Sequence, residues 1–254
     1  AIINIAKAFL EINIGDRMDS IPEYSKKFEL SVGTIQKAIK FLEDEKMVTL
    51  ERKGHMGTTV KNIKYEKLLN YAGISTVVCV MPLPYSKRYE GLATGLKKCF
   101  SDKKIPFYFA HMGGADIRIN FLEKGLYDFA IVSKLAANQA IKSGKKIEIA
   151  YEFGENTYVD KHVLFKNENT VIKKVGIDPD SKDQYLLTKD YFKGNDDIEL
   201  VKINYNKIPE LLKRGIIDAT VWNLDEIKEQ NMNIQYEDLK NKTQVNLANE
   251  AVLV

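Results

Sequence analysis

The segment "FLEKGLYDFAIVSK" returns later in the chain as "LLKRGIIDATVWN", with Leu122 aligned to Leu212, Gly125 to Gly215 and Asp128 to Asp218. In each copy a helical pattern ends at a glycine free to adopt the left-handed cap, two residues pass, an aspartate closes the turn, and a buried-strand run follows. Many α/β folds reuse such a turn. The reading preferred here is that the chain contains two similar α/β lobes. Around the two copies, strand runs such as "STVVCVMPLP" and "PFYFAHM" alternate with helical patterns such as "YEGLATGLKKCF" and "GADIRINFLEKG". That alternation predicts a mainly parallel sheet covered on both faces.

A chain of 254 residues is long for a single core, so a second unit is expected beside the lobes. The residues before about Lys64 have a different character. Ile2, Ile5, Ala6, Phe9 and Leu10 recur with helical period. Ser20 and Glu23 stand in the relation of a capping box, with Pro22 in the first turn, so a second helix begins there. Ser31 is placed to cap a third, in which Ile35, Ala38, Ile39 and Leu42 form one apolar stripe. The rest of that helix is polar and basic, without an acid until Glu43. "MVTLERKGHMGTTV" then reads as strand, glycine-bounded turn and strand. It is not a phosphate-binding loop: Thr58, not lysine, follows Gly57, and a strand rather than a helix comes next.

Helix, helix, turn, helix and a hairpin containing "RKGHMGTTV" resemble the winged helix-turn-helix of GntR-type transcriptional regulators. Within that group, "EYSKKFELSVGTIQKAIKFLEDEKMVTLERKGHMGT" is similar to the YhfZ-like regulators. GntR proteins commonly carry arginine early in the recognition helix, where this chain has Gln36 and Lys37, so their base preference does not carry over. The resemblance implies a C-terminal domain of the periplasmic-binding-protein-like type 2 fold, consistent with the two-lobe reading. The expected architecture is a winged helix-turn-helix domain at 1–64, a linker helix at 65–73, and a two-lobed α/β domain at 74–254. Lobe one takes about 74–165 plus 222–254 and lobe two about 166–221, with a crossover through "NTYVDKHVLFK" and a final strand in "EAVLV".

For DNA, donors must reach into the major groove and cations must lie near phosphates. Ser31, Thr34, Gln36, Lys37 and Lys40 on the third helix meet the first need, and Arg52, Lys53 and His55 on the wing meet the second. A formal net charge of +3 is too small to make the whole surface a polyanion trap, so this local set carries the expectation. For a small molecule, the two-lobed fold places its ligand in the cleft, at strand C-termini and helix N-termini. Tyr85, Ser86, Arg88, His111, Gly113, Gly114, Ser133 and Lys134 are the candidates from lobe one, with His162 near the crossover. Asp178, Ser181, Lys202, Asn204 and Asn223 are those from lobe two. Helix N-termini favour negative charge, which makes a small anion the expected ligand.

Catalytic signals are weak. His111 and His162 have no cysteine or acid at metal-ligand spacing, no G-x-S-x-G elbow occurs, and Asp178, Asp180 and Asp183 fail the calcium-loop pattern. No catalytic residue, metal or cofactor is expected. Cys79 and Cys99 both occupy apparently buried positions, and two cysteines in a chain this long favour a reduced interior, hence the cytoplasm. No apolar run approaches the roughly 18 residues of a membrane helix. An Ala1 start and an end inside a strand lead us to expect residues beyond both ends. The function expected is a cytoplasmic DNA-binding regulator, a homodimer on double-stranded DNA, with a metabolite-sensing effector domain. Two rivals stand beside it: a solute-binding or enzymatic two-lobed protein with an N-terminal interaction module, and a DNA-binding protein whose C-terminal part only dimerises.

Overall fold

The computed structural model describes residues 1–167, 170–229 and 235–254. They form two compact units, one of Ala1–Val77 with Lys97–Tyr108 and the other of Val78–Leu96 with Phe109–Val254.

In the first unit, α1 (Ile2–Leu10), α2 (Ile21–Phe28) and α3 (Val32–Asp44) are followed by the hairpin β1 (Val48–Arg52) and β2 (Thr58–Ile63) and by α4 (Tyr65–Tyr71). The predicted caps form. Ser20 Oγ accepts from the Glu23 amide while the Glu23 carboxylate accepts from the Ser20 amide at 2.6 Å, and Ser31 Oγ accepts from the Thr34 amide at 3.1 Å. Glu29 ends α2 in the left-handed region (φ 53°), which turns the chain sharply into α3. One core takes Ile5 and Phe9 of α1, Tyr24 of α2, Ile35, Ile39 and Leu42 of α3, and Leu68 of α4. The segment expected as a linker helix is therefore part of this core. A third extended segment joins the wing: the amides of Gly15 and Met18 donate to Val60 and Thr58, and the Val60 amide donates to Asp16.

The rest of the chain runs β3 (Val77–Met81), α5 (Lys87–Asp102), β4 (Phe107–His111), α6 (Ala115–Glu123), β5 (Phe129–Ser133), α7 (Lys134–Lys142) and β6 (Tyr151–Glu152). Then come β7 (His162–Lys166), β8 (Lys174–Ile177), α8 (Lys182–Tyr191), β9 (Glu199–Lys202), α9 (Ile208–Lys213), β10 (Ala219–Asn223), α10 (Leu224–Glu229), β11 (Gln235–Asp238), α11 (Lys242–Asn249) and β12 (Ala251–Leu253). One sheet has the order β4-β3-β5-β12-β6 and the other β9-β8-β10-β7-β11. Position by position these are the same arrangement, which gives the sequence echo its architectural meaning.

The echo also has a local cause. Gly125 and Gly215 sit at φ 69° and 66°, and their amides close the preceding helices onto Leu122 and Leu212. Asp128 then accepts from the Val78 amide at 2.8 Å, and Asp218 accepts from Lys173 and Lys174 at 2.9 and 2.7 Å. Each aspartate ties the incoming strand to its inner neighbour, β3 or β8.

Three expectations need correction. The sheets are mixed rather than mainly parallel: β3/β5, β8/β9 and β10/β8 are parallel, whereas β7 and β12 pair antiparallel with their neighbours. Each of these two strands enters its sheet from the other sheet rather than by a strand-helix-strand crossover within one sheet, so nothing imposes the parallel direction. For the same reason the lobes divide differently from the sequence reading. The β7 strand (162–166) lies in the second sheet, which also keeps the residues after Val221 through β11, and β12 returns to the first. Cys79 is buried as expected, but Cys99 is exposed. Its neighbour Phe100 takes the inward position, stacked on Phe107 with ring centroids 4.0 Å apart.

Candidate functional site

On α3 the apolar stripe of Ile35, Ala38, Ile39 and Leu42 faces the core and leaves Gln36, Lys37 and Lys40 exposed. Among the described residues, these three have no ion pair or hydrogen bond from their side chains. The other DNA candidates are more committed. Ser31 and Thr34 hold each other, hydroxyl to hydroxyl at 2.8 Å, in the cap that starts the helix. Arg52 is not free on the wing: both guanidinium ends are donated to the Glu43 carboxylate, Nη1 at 3.1 Å, which locks the wing to the last turn of α3. The acid that ended the basic face of α3 is thus the partner of that arginine. Lys53 pairs with Glu51 at 3.2 Å, while His55 is exposed in the short helical turn Gly54–Met56 at the wing tip.

The sequence reading missed Arg17. Its exposed side chain crosses the wing at Gly57, so close that a Cβ there would collide with its guanidinium. Gly57 has φ 89°, a conformation that side-chain-bearing residues rarely adopt, so the backbone calls for glycine. Arg17 belongs to the extended segment beside β2, which has no periodicity to announce it.

The second site is a cavity of about 300 Å³ in the second unit, where the C-terminal ends of β3, β4, β8, β9 and β10 face the starts of α6, α8 and α10. Among the predicted ligand residues, Tyr85, Gly113, Gly114 and His162 line it. So do Asp178, Ser181, Asn204 and Asn223. The others are occupied elsewhere. Arg88 donates to the Asn156 carbonyl and Asp160 and pairs with Asp225. His111 is held by the Pro82 carbonyl at 2.9 Å, and Lys134 is paired with Glu152 and Glu250. Lys202 and Ser86 do not line the cavity either. Ser133 is one layer behind it: its hydroxyl caps α7 and donates to Asp183 at 2.5 Å.

Three buried polar residues that line the cavity escaped the sequence reading. Arg118, 2% exposed, donates to the Ile131 and Met112 carbonyls at 3.0 and 2.7 Å and to the Tyr158 hydroxyl at 3.0 Å. Asp183, 8% exposed, has its carboxyl pushed up to about 7 by burial, against the pull of Ser133 and Arg118. Glu226, 7% exposed, is likewise raised by burial to about 7 although its Oε1 accepts from Asn223 at 2.7 Å and from the Tyr205 hydroxyl at 3.4 Å. A signal was present for Arg118, which falls on the stripe Ala115, Ile119 and Leu122, where only a buried or functional charge belongs. His162 donates Nδ1–H to Asn249 Oδ1 at 2.8 Å, and burial lowers it to about 4, so it is neutral with Nε2 left as an acceptor.

Among the described residues the lining is richer in acids than in cations. Its cations are Arg118, already donating to three oxygens of its own chain, and Lys182, paired with Asp116 at 3.0 Å, whereas Asp178, Asp180, Asp183 and Glu226 are acidic. Asp178 also has both oxygens engaged, by the amides of Asp180 and Tyr205 at 2.9 and 2.8 Å, and so acts as a loop brace. Among the described residues, no three His, Cys, Asp or Glu side chains converge to hold a metal, and no helix is long and apolar enough to cross a membrane.

Residues 64–254 match the YhfZ C-terminal domain family, and residues 13–60 match a helix-turn-helix domain family. The chain is 41% identical over 225 residues to YhfZ of Escherichia coli (strain K12), covering 88% of this chain and 73% of that protein. The crystal structure of YhfZ from Shigella flexneri is similar with a TM-score of 0.63 at 40% identity, over 74% of this chain and 81% of that one. The periplasmic aliphatic sulphonate binding protein SsuA from Escherichia coli is similar in fold, with a TM-score of 0.52 at 15% identity, over 71% of this chain and 65% of that one. The architecture is thus an N-terminal helix-turn-helix domain followed by a periplasmic-binding-protein-like domain. The chain belongs to the YhfZ family.

Proposed function

We propose that this protein is a cytoplasmic transcriptional regulator. It binds double-stranded DNA as a homodimer through α3 and the wing, and its two-lobed domain senses a small molecule. The observation that carries this reading is the division of α3 into a face glued to the core by Ile35, Ile39 and Leu42 and a face presenting Gln36, Lys37 and Lys40 without internal partners. Gln36 has the paired donor and acceptor that match an adenine edge, and Lys37 can donate to guanine or to a phosphate. Arg52 holds the wing in place against Glu43, and Arg17 offers the wing's free guanidinium to the backbone.

Sensing follows from the cavity between two sheets of like topology. A molecule that prefers the closed lobes stabilises that form and thereby changes how two DNA-binding domains are presented to a palindrome. The coupling equals the difference in its affinity for the two forms. Nothing in this scheme requires bond chemistry, and we assign no catalytic residue. A gel shift with the full chain on DNA from upstream of its own gene tests the first half. Retardation that fades as salt rises supports it, and no retardation even at low salt refutes it.

A further inference from the structure

The sensing reading leaves open what the cleft receives, and the polar groups around it are one-sided. Asp183, Glu226 and His162 are each more than nine-tenths buried, and each lines the cavity. One oxygen of Asp183 takes the Ser133 hydroxyl, one oxygen of Glu226 takes Asn223 and Tyr205, and Nδ1 of His162 is spent on Asn249. The remaining Oδ2, Oε2 and Nε2 make no further hydrogen bond of normal geometry among the described residues, although the Trp222 indole N–H also acts on the Glu226 carboxyl. They are three acceptors from three elements: α8, α10 and β7.

Around them stand tyrosines: Tyr85 and Tyr89 from one lobe, Tyr158 from the crossing segment, Tyr205 from the other lobe. Their faces attract positive charge. The lining cations Arg118 and Lys182 spend their hydrogen bonds on the partners given above and act on Asp183 only through charge. A buried carboxylate without a partner is costly, and a cation that arrives with N–H donors removes that cost.

Resting on the sensing reading, we propose that the cleft takes a small organic cation, an ammonium compound whose N–H groups are received by Glu226, Asp183 and His162. An organic cation rather than a metal ion is indicated because no three ligating groups converge among the described residues. The volume of about 300 Å³ suits a compound of a few heavy atoms with room for water.

Three probes of equal length and different charge test this on the wild-type full chain by titration calorimetry and thermal shift: 1,4-diaminobutane, 1,4-butanediol and succinate. The expected result is saturable binding of the diamine alone, with Glu226→Gln weakening it about tenfold or more, the loss of one charge-assisted bond. Asp183→Asn is the second variant, so that misfolding of one does not decide the matter. Binding of succinate without the diamine overturns the cation assignment and leaves sensing intact. Equal binding of diol and diamine overturns it too, since charge is then irrelevant. No response to the diamine at about 10 mM likewise overturns it, since three acceptors receiving a cation's N–H groups are expected to bind it at least that tightly. Diamine binding that leaves the DNA gel shift unchanged supports the cation site and refutes the regulatory coupling.

Discussion

Replacing Arg118 with leucine removes what is, among the described residues, the one cation buried in the wall of the cleft, and the structure fixes what should follow. Arg118 is 2% exposed and makes hydrogen bonds to Ile131 O, Met112 O and Tyr158 OH. Without it two buried acceptors and one part-buried acceptor lose a donor, each buried one worth about 1–3 kcal/mol if left unsatisfied. Leucine returns part of this by burying apolar surface and by sparing the desolvation of a guanidinium, about 2 kcal/mol or more. The net loss expected is about 3 kcal/mol, which for a domain of this size lowers Tm by roughly 6–12 °C.

A charge effect accompanies the packing effect and gives it a signature. The Arg118 cation pulls down the Asp183 carboxyl, which burial has raised to about 7. In the variant that carboxyl titrates higher still. Wild type stops losing stability once Asp183 has ionised, whereas the variant goes on losing it, so the gap between them widens as pH rises above about 7. Urea denaturation of both proteins at about pH 6 and about pH 8.5, read by linear extrapolation, measures this directly. A loss under about 1 kcal/mol, or one that does not grow with pH, would show that Arg118 is neither a needed donor nor a partner of Asp183.

Further predictions concern the echo, the acids and the wing. Asp218→Ala should cost about 1–2 kcal/mol and Asp128→Ala about half as much, because Asp218 receives two backbone amides and Asp128 one; chemical denaturation in which Asp128 proves the costlier site refutes the account of the turn. Asp183 and Glu226 have folded-state values raised to about 7, so the folded chain holds protons there that the unfolded chain has released, and each should erode stability between about pH 4 and 7 by up to about 1.4 kcal/mol per pH unit. His162, lowered to about 4, works in the opposite direction between about pH 4 and 6.5 and offsets part of that fall. Melting across this range should show a shallower decline for Asp183→Asn than for wild type, and parallel curves would contradict the burial argument. Gly57→Ala should cost about 1–3 kcal/mol, since its φ of 89° disfavours any side chain while Arg17 can swing aside, and a neutral melting temperature would contradict that backbone strain.

What the sequence could tell in advance was set by the range of the forces involved. The Ser20 and Ser31 caps, the α3 stripe and the glycine–aspartate turns depend on neighbours within a few residues, so their signals lie in short words of sequence. The echo even carried architecture, because both lobes use the same turn to seat the same strand. The direction of β7 and β12 was not legible, since strand pairing is decided by partners remote in the chain. The lobe boundaries misplaced by the sequence reading follow from that one fact.

The cleft divides along the same line. Gly113, Gly114, Ser181 and Asn223, picked out because helix starts have recognisable residues, do line the cavity. Helix N-termini suggested an anion, and the carboxyl groups of Asp183 and Glu226 just inside those helices are what the cation proposal sets against it. Arg88, the cation chosen from sequence, is drawn off by Asp160 and Asp225, acids far from it in the chain. Arg52 is likewise drawn off by Glu43. In both cases the residue was read as a cation available to a partner molecule, while the acid it pairs with became visible only with the fold.

The most direct test of the central claim is the salt dependence of DNA binding by the full chain, followed by fluorescence anisotropy on DNA from upstream of its gene, for wild type, Gln36→Ala and Lys37→Ala. The account predicts that log affinity falls steeply with log salt for wild type, that Lys37→Ala reduces the slope by about 0.9 for one lost phosphate contact or loses sequence preference by about 1–3 kcal/mol if it reads guanine, and that Gln36→Ala lowers preference with the slope unchanged. Three superimposable curves, or no binding by wild type at the lowest salt, would contradict it.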